Sequence, residues 1–187
     1  TQDDTAFILY TSGTSGKPKG APLTHGNIVS VLKAGMEWLE DWGAVREKVL
    51  GVLPMFHIYG LALNYALPLS IGAEMVLVPA PKPKLYQAAI TKTRPTVLPG
   101  VPTLYDKIIE WAVESNADLS SIHTSISGAS TLPVETIERW ENATGGRLIE
   151  GYGLTETAPI LAGNPLDGTR RPGYIGLPFP NTEIRIA

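Results

Sequence analysis

Short apolar runs recur along this 187-residue chain, most of them parted from the next by about ten to fifteen residues with helical spacing. A strand, a helix and a second strand pack most simply as a parallel βαβ unit. The expected class is therefore α/β, with layered parallel-sheet subdomains and flanking helices. Thr5–Thr11, Lys48–Leu53, Glu74–Val78, Thr96–Leu98, Thr124–Ser127 and Arg147–Glu150 read as strands. Thr24 can cap a helix reaching about Glu40, with Ile28, Val29, Leu32, Met36 and Leu39 along one face. A mostly apolar helix starts near Ile58, after which Leu85–Thr93, Pro102–Glu114 and Val134–Thr144 read as helices. Pro133 suits the N1 position of the last of these, and Gly145-Gly146 closes it. Thr182–Ala187 alternates like one more strand, and both ends are abrupt, as in a segment of something larger.

Composition removes several function classes. With 43% hydrophobic and 18% charged residues the chain is globular, and its net charge of −3 argues against a nucleic-acid partner. It has no cysteine, and its three histidines, His25, His57 and His123, lack metal-ligand spacing. Thr1-Gln2-Asp3-Asp4 is acidic and precedes too short an apolar run for a signal peptide. The longest apolar stretch, Ile58–Ile71, is broken by Asn64 and Pro68 and is too short to span a membrane. The expectation is a cytoplasmic protein, with peripheral membrane contact left open for a chain that handles lipids.

The chemistry concentrates in Tyr10-Thr11-Ser12-Gly13-Thr14-Ser15-Gly16-Lys17-Pro18-Lys19-Gly20. A strand, Phe7–Tyr10, expected to be short and buried, empties here into hydroxyls, glycines and lysines. Such a loop turns backbone N–H groups and hydroxyls toward one small volume, and its lysines add charge, which suits a polyphosphate. It is not the familiar P-loop, because Gly16-Lys17 is followed by Pro18 and the residue five before Gly16 is Thr11. The competing reading is a flexible Ser/Gly surface loop.

A second cluster is Glu150-Gly151-Tyr152-Gly153-Leu154-Thr155-Glu156-Thr157. A tyrosine between glycines can lie flat against a purine, and a hydroxyl beside a carboxylate can meet a phosphate oxygen and its Mg²⁺. Alternatively this is a strand-to-turn junction with a surface Glu. His57, in Pro54-Met55-Phe56-His57-Ile58-Tyr59-Gly60, is either a site residue or a satisfied helix-start histidine. Ser127-Gly128-Ala129-Ser130 would let a ligand approach the backbone, or is an ordinary βα turn.

Taken together and in this order, these segments resemble the adenylate-forming family of acyl-coenzyme A synthetases, firefly luciferases and peptide-synthetase adenylation domains. Tyr10–Gly20 matches the family's phosphate loop, with Ser15 where many members have Thr, and Gly151–Glu156 matches its adenine and magnesium signature. Within the family the chain most resembles bacterial long-chain fatty acid–CoA ligases, through Glu150–Glu156, Ala158-Pro159, Asn164-Pro165, Ile175–Pro178 and Gly100–Tyr105.

The resemblance implies a two-step reaction with ATP, Mg²⁺ and coenzyme A, in which a fatty carboxylate becomes an acyl-adenylate and then a thioester. It implies that Thr11, Ser12, Thr14, Ser15 and Lys19 hold the β- and γ-phosphates, with Gly13, Gly16 and Lys17 in the same loop. Thr11 and Glu156 would bind Mg²⁺. Tyr152 would stack on adenine in a pocket lined by Gly128, Ala129, Glu150 and Gly151. Thr155 would lie near the α-phosphate, and His57 where the acyl and nucleotide sites meet. The family's ribose-binding aspartate, hinge and C-terminal lid lysine have no counterpart before Ala187. Residues 1–187 are thus expected to form one partial ATP/acyl-binding domain, from the large N-terminal domain, unable to complete catalysis alone. Two alternatives are a fatty acyl-AMP ligase serving a carrier protein and a non-catalytic nucleotide or acyl binding module.

Overall fold

The computed structural model describes residues 1–12, 16–39 and 46–186. A seven-stranded sheet organises the chain, in the order β4-β3-β5-β6-β7-β8-β9. Its parallel part comprises β3 (Lys48–Gly51), β4 (Glu74–Leu77), β5 (Val97–Gly100), β6 (Thr124–Ser127) and β7 (Arg147–Gly153). Helical segments follow the strands: α2 (Ile58–Leu61), α3 (Leu67–Ser70), α4 (Pro83–Thr93), α5 (Pro102–Ser115) and α6 (Val134–Thr144). A π-helical turn, Ala62–Ala66, joins α2 to α3. β8 (Ile160–Gly163) and β9 (Leu177–Pro178) extend the sheet antiparallel.

Helices cover both faces. Behind the sheet, Tyr105, Ile108 and Ile109 of α5 and Ile137 and Trp140 of α6 pack with Leu50, Leu98 and Leu148. Trp140 meets Tyr105 edge-on at 4.8 Å and donates its indole N–H to Ser125 Oγ at 3.0 Å. Fully burying each such aromatic contributes roughly 2–3 kcal/mol, so this face anchors the domain. On the front, Leu39, Tyr59, Leu63 and Leu67 pack against Ile126 and Ile149. Between these layers the carboxyl ends of the parallel strands stay open.

α1 (His25–Trp38) starts where Thr24 predicts. Thr24 Oγ1 accepts the Asn27 N–H at 3.1 Å, and Asn27 Oδ1 accepts the Thr24 N–H at 2.9 Å. The two side chains thus satisfy each other's free backbone donors. At the other end of α6, Gly145 takes φ 71°, the left-handed turn that glycine adopts without steric cost.

Several expectations are corrected. Phe7–Tyr10 is not buried: β1 (Thr5–Thr11) forms a separate antiparallel hairpin with β2 (Lys19–Thr24), leaving Ile8 58% and Tyr10 75% exposed. A two-stranded ribbon buries one face at most, and here Leu9 and Leu23 supply it against Ile28 and Ile58. Pro133 is the N-cap of α6, with extended ψ, and not its N1 residue, while the helix spans Val134–Thr144 as expected. β5 continues through Pro99 to Gly100; β3 pairs with it only at Val97, so the missing proline N–H leaves no gap in that ladder. Residues 182–186 form no strand, because no neighbouring strand offers them a ladder. Glu40 and Ala187 lie outside the described residues. Among the described residues no helix is long and apolar enough to cross a membrane.

Candidate active site

The carboxyl ends of β6 and β7 face α1 and α2 across a cleft of about 340 Å³. Open α/β sheets take ligands at this edge, where strands give way to loops and helix starts. The exposed His57 and Glu156 stand at its mouth with Thr11 and Thr155. Buried Leu39, Leu63, Leu67, Ile126 and Ile149 wall the interior.

His57 is the N-cap of α2, and its Nδ1 accepts the Tyr59 N–H at 3.2 Å. That bond leaves Nε2 to carry the proton of the neutral ring, as a donor for an incoming oxyanion. His57 is thus a helix-start residue and a cleft residue at once. Tyr59 points inward, its hydroxyl 2.6 Å from the Ile126 carbonyl oxygen and 3.1 Å from that of Gly100. Burial pushes its phenol well up, so it stays a donor. Its ring explains Gly128, where a Cβ would sit 3.1 Å from Tyr59 Cζ. Ala129, next in the turn, takes φ 68° and lines the cleft.

β7 supplies the facing wall through Ile149, Gly151, Tyr152 and Gly153. A Cβ on Gly153 would lie 1.5 Å from the Pro159 oxygen, so the protein itself requires that glycine. Gly151 differs, since a Cβ there would meet nothing closer than 3.8 Å. Its absent side chain leaves room beside Tyr152, which is 43% exposed. Thr155–Thr157 form a 3₁₀ turn, pinned by Thr157 Oγ1, which accepts the Leu154 N–H at 3.0 Å. This turn packs against β2, and so brings Glu156 near the hairpin that carries Thr11.

Thr11 and Lys19 are cross-strand partners, so the base of the hairpin sets a hydroxyl beside an ammonium. Ser12, Gly16, Lys17 and Lys19 are exposed and are not among the residues walling the cleft. Gly13, Thr14 and Ser15 lie outside the described residues. Glu150 alternates away from the cleft: its Oε1 accepts the Leu132 N–H at 3.3 Å on the opposite face of the sheet. Burial pushes this carboxyl up from its ordinary value.

Among the described residues no group of three or more His, Asp or Glu gathers to hold a metal alone. One carboxylate and one hydroxyl at the mouth nevertheless fit Mg²⁺, which takes few protein ligands and shares its shell with phosphates and water. Trp38, Ile126 and Phe179 also line the cleft without having been marked by any sequence motif, and Tyr59 lines it without having been singled out within the His57 segment. Tyr59 lies two residues from His57, a proximity that could have pointed to it. Trp38 and Phe179 meet only through the tertiary fold.

The profile of the family described as AMP-binding enzyme matches residues 1–187. A long-chain-fatty-acid–CoA ligase of Bacillus subtilis (strain 168) is 42% identical over 187 residues, covering 99% of this chain and 33% of that protein. A mitochondrial malonate–CoA ligase, ACSF3, of Xenopus laevis is 38% identical over 199 residues, covering 98% of this chain and 34% of the relative. Among solved structures, a malonyl-CoA ligase ternary product complex with methylmalonyl-CoA and AMP superposes with a TM-score of 0.84 at 33% identity, over 96% of this chain and 39% of that one. The chain therefore spans about one third of the length of the relatives it matches. It belongs to the AMP-binding enzyme family, the adenylate-forming enzymes that include the acid–CoA ligases.

Proposed function

We propose that this chain provides the nucleotide and acyl surfaces of an AMP-forming ligase that activates long-chain fatty acids. A carboxylate oxygen attacks the α-phosphorus of ATP, the bond to pyrophosphate breaks, and the coenzyme A thiol then displaces AMP to form the thioester. Chemistry of this kind rests on positioning and charge neutralisation. Thr155 would face the α-phosphate, and Lys19 with the hydroxyls of Thr11, Ser12, Thr14 and Ser15 the β- and γ-phosphates. Tyr152 would cover the adenine, beside the space left at Gly151. His57 Nε2–H would donate to the carboxylate. Thr11 and Glu156 would hold Mg²⁺, which when bound neutralises phosphate charge.

One observation carries the reading: a single cleft joins a polar mouth to an apolar interior. It also favours a fatty acid over malonate. Glu156 and His57 are the only titratable acid and base among the described lining residues apart from tyrosines, so no lysine or arginine inside meets a second carboxylate. A further apolar groove of about 290 Å³, lined by Leu32, Leu61, Tyr65 and Leu69, shares Ile58 with the cleft and offers room for a long tail.

Calorimetric titration with non-hydrolysable acyl-adenylate analogues tests this. Affinity should rise with acyl length and exceed that of a malonyl analogue; no nucleotide-dependent binding would refute the reading. We also propose that residues 1–187 form one partial ATP/acyl-binding domain, about one third of the length of the relatives it matches. ATP–pyrophosphate exchange by this chain alone should then stay at background, and turnover like that of an intact ligase would overturn that part.

A further inference from the structure

We infer that Glu150 is a positioning residue, whose carboxylate holds the cleft-lining loop after β6 in place by tying its far end to β7. The inference rests on the cleft being the nucleotide site. On β7, Ile149 and Gly151 turn toward the cleft, while Glu150 between them points to the other face and is only 8% exposed. Its Oε1 accepts the N–H of Leu132, itself 1% exposed, at the far end of the Gly128–Leu132 loop. Gly128 and Ala129 of that loop, and Gly151 and Tyr152 directly after Glu150, line the cleft side by side from the ends of adjacent strands. At the near end the loop is held by the Gly128 N–H, which reaches the Gly100 oxygen at 3.3 Å. Glu150 is therefore the tie between the loop's far end and the neighbouring strand β7.

Two further observations fit a tie in preference to a ligand contact. Ser127 is the register partner of Glu150 and is fully buried, so the carboxylate lies beside a residue closed to solvent. The Glu150 backbone oxygen meanwhile accepts the Asn164 N–H at 2.9 Å, fixing β7 to the loop beyond β8. A carboxylate pinned in this way cannot turn to a ligand without leaving the Leu132 N–H buried and unpaired.

The experiment measures ATP affinity with MgCl₂, palmitate affinity and amide hydrogen exchange for the parent protein, Glu150→Ala and Glu150→Gln. With alanine, ATP should bind about tenfold more weakly, palmitate affinity should hold within about twofold, and the amides of residues 128–132 should exchange faster. Glutamine keeps the acceptor oxygen and should recover ATP affinity to within about twofold of the parent. Should the alanine variant not fold, the glutamine variant alone decides: recovered affinity supports the tie, and lost affinity overturns it. Equal ATP affinity in a folded Glu150→Ala protein, or equal losses for ATP and palmitate, would also overturn it. A parent protein that binds no ATP would instead remove the underlying functional reading.

Discussion

Trp38 and Phe179 stack with ring centroids 4.5 Å apart and planes 21° from parallel. One ring ends α1 and the other follows β9, and both line the cleft. The Trp38 indole N–H also reaches the Asn164 oxygen at 3.2 Å, so the pair is fastened to the sheet. Trp38→Ala should extend the apolar interior and shift preference toward longer acyl chains, at roughly 1–3 kcal/mol of stability. Titration with a graded series of saturated fatty acids checks this. A fall in melting temperature with an unchanged order of preference would deny the ring its role as a wall.

Glu156 is exposed on a short turn and has no ion pair among those found in the described residues. Glu156→Ala should therefore leave the melting temperature nearly unchanged. Loss of a charge-assisted contact should weaken ATP binding in the presence of Mg²⁺ by roughly 1.5–3 kcal/mol. The penalty should shrink when Mg²⁺ is removed with EDTA, because the proposed role puts the carboxylate on the metal-bound nucleotide. A penalty of the same size with and without Mg²⁺ would exclude a metal-linked role.

Much of this architecture was legible in local patterns. The Thr24 cap, the α5 stripe of Leu104, Ile108 and Ala112, and the glycine after α6 are each set by near neighbours. The hairpin was not, because Lys19–Thr24 carries Pro22 and a single large apolar residue, Leu23, and reads as loop. β8 (Ile160–Gly163) and β9 (Leu177–Pro178) are too short to stand out as strands, and the Trp38–Phe179 wall joins residues far apart in the chain. The orientation of Glu150 needed the strand itself, in which its neighbours Ile149 and Gly151 line the cleft while its own carboxylate bonds the Leu132 N–H. The matched motif gave the segment, and the strand gave the direction of its side chain.

Tyr59→Phe removes the hydroxyl that reaches the Ile126 and Gly100 oxygens. Tyr105, at 2.7 Å, still serves the Ile126 oxygen, and the Gly128 N–H, at 3.3 Å, still serves that of Gly100, so neither acceptor is left unpaired. Stability should drop by about 1 kcal/mol, read as a lower denaturant midpoint with an unchanged slope. The ring remains against Gly128, so nucleotide affinity should change little. A large loss of affinity would mean that the hydroxyl itself reaches the ligand.

Lys19 is the cross-strand partner of Thr11 in the hairpin and is exposed. Lys19→Ala should weaken ATP more than AMP, because the ammonium is assigned to the β- and γ-phosphates, with a difference of roughly 1.5–3 kcal/mol at low salt. The difference should narrow as salt rises, since an exposed charge is screened over about 10 Å at 0.1 M. Equal losses for ATP and AMP would move Lys19 away from the terminal phosphates.

Glu150 also predicts a pH dependence. Its carboxyl is raised above the ordinary value of 4.5, chiefly by burial, with the Leu132 N–H opposing. Between that value and the raised one, the folded protein keeps a proton that the unfolded chain has released. The resulting stability is complete below the unfolded value and is lost as pH rises through the folded one. Glu150→Gln cannot titrate, so the parent should lose melting temperature relative to the glutamine variant from about pH 4.5 toward neutrality. The difference between the two melting curves isolates this carboxyl, because every other titrating group is common to both. A difference that stays constant with pH would mean that Glu150 ionises in the folded protein as it does in the unfolded chain.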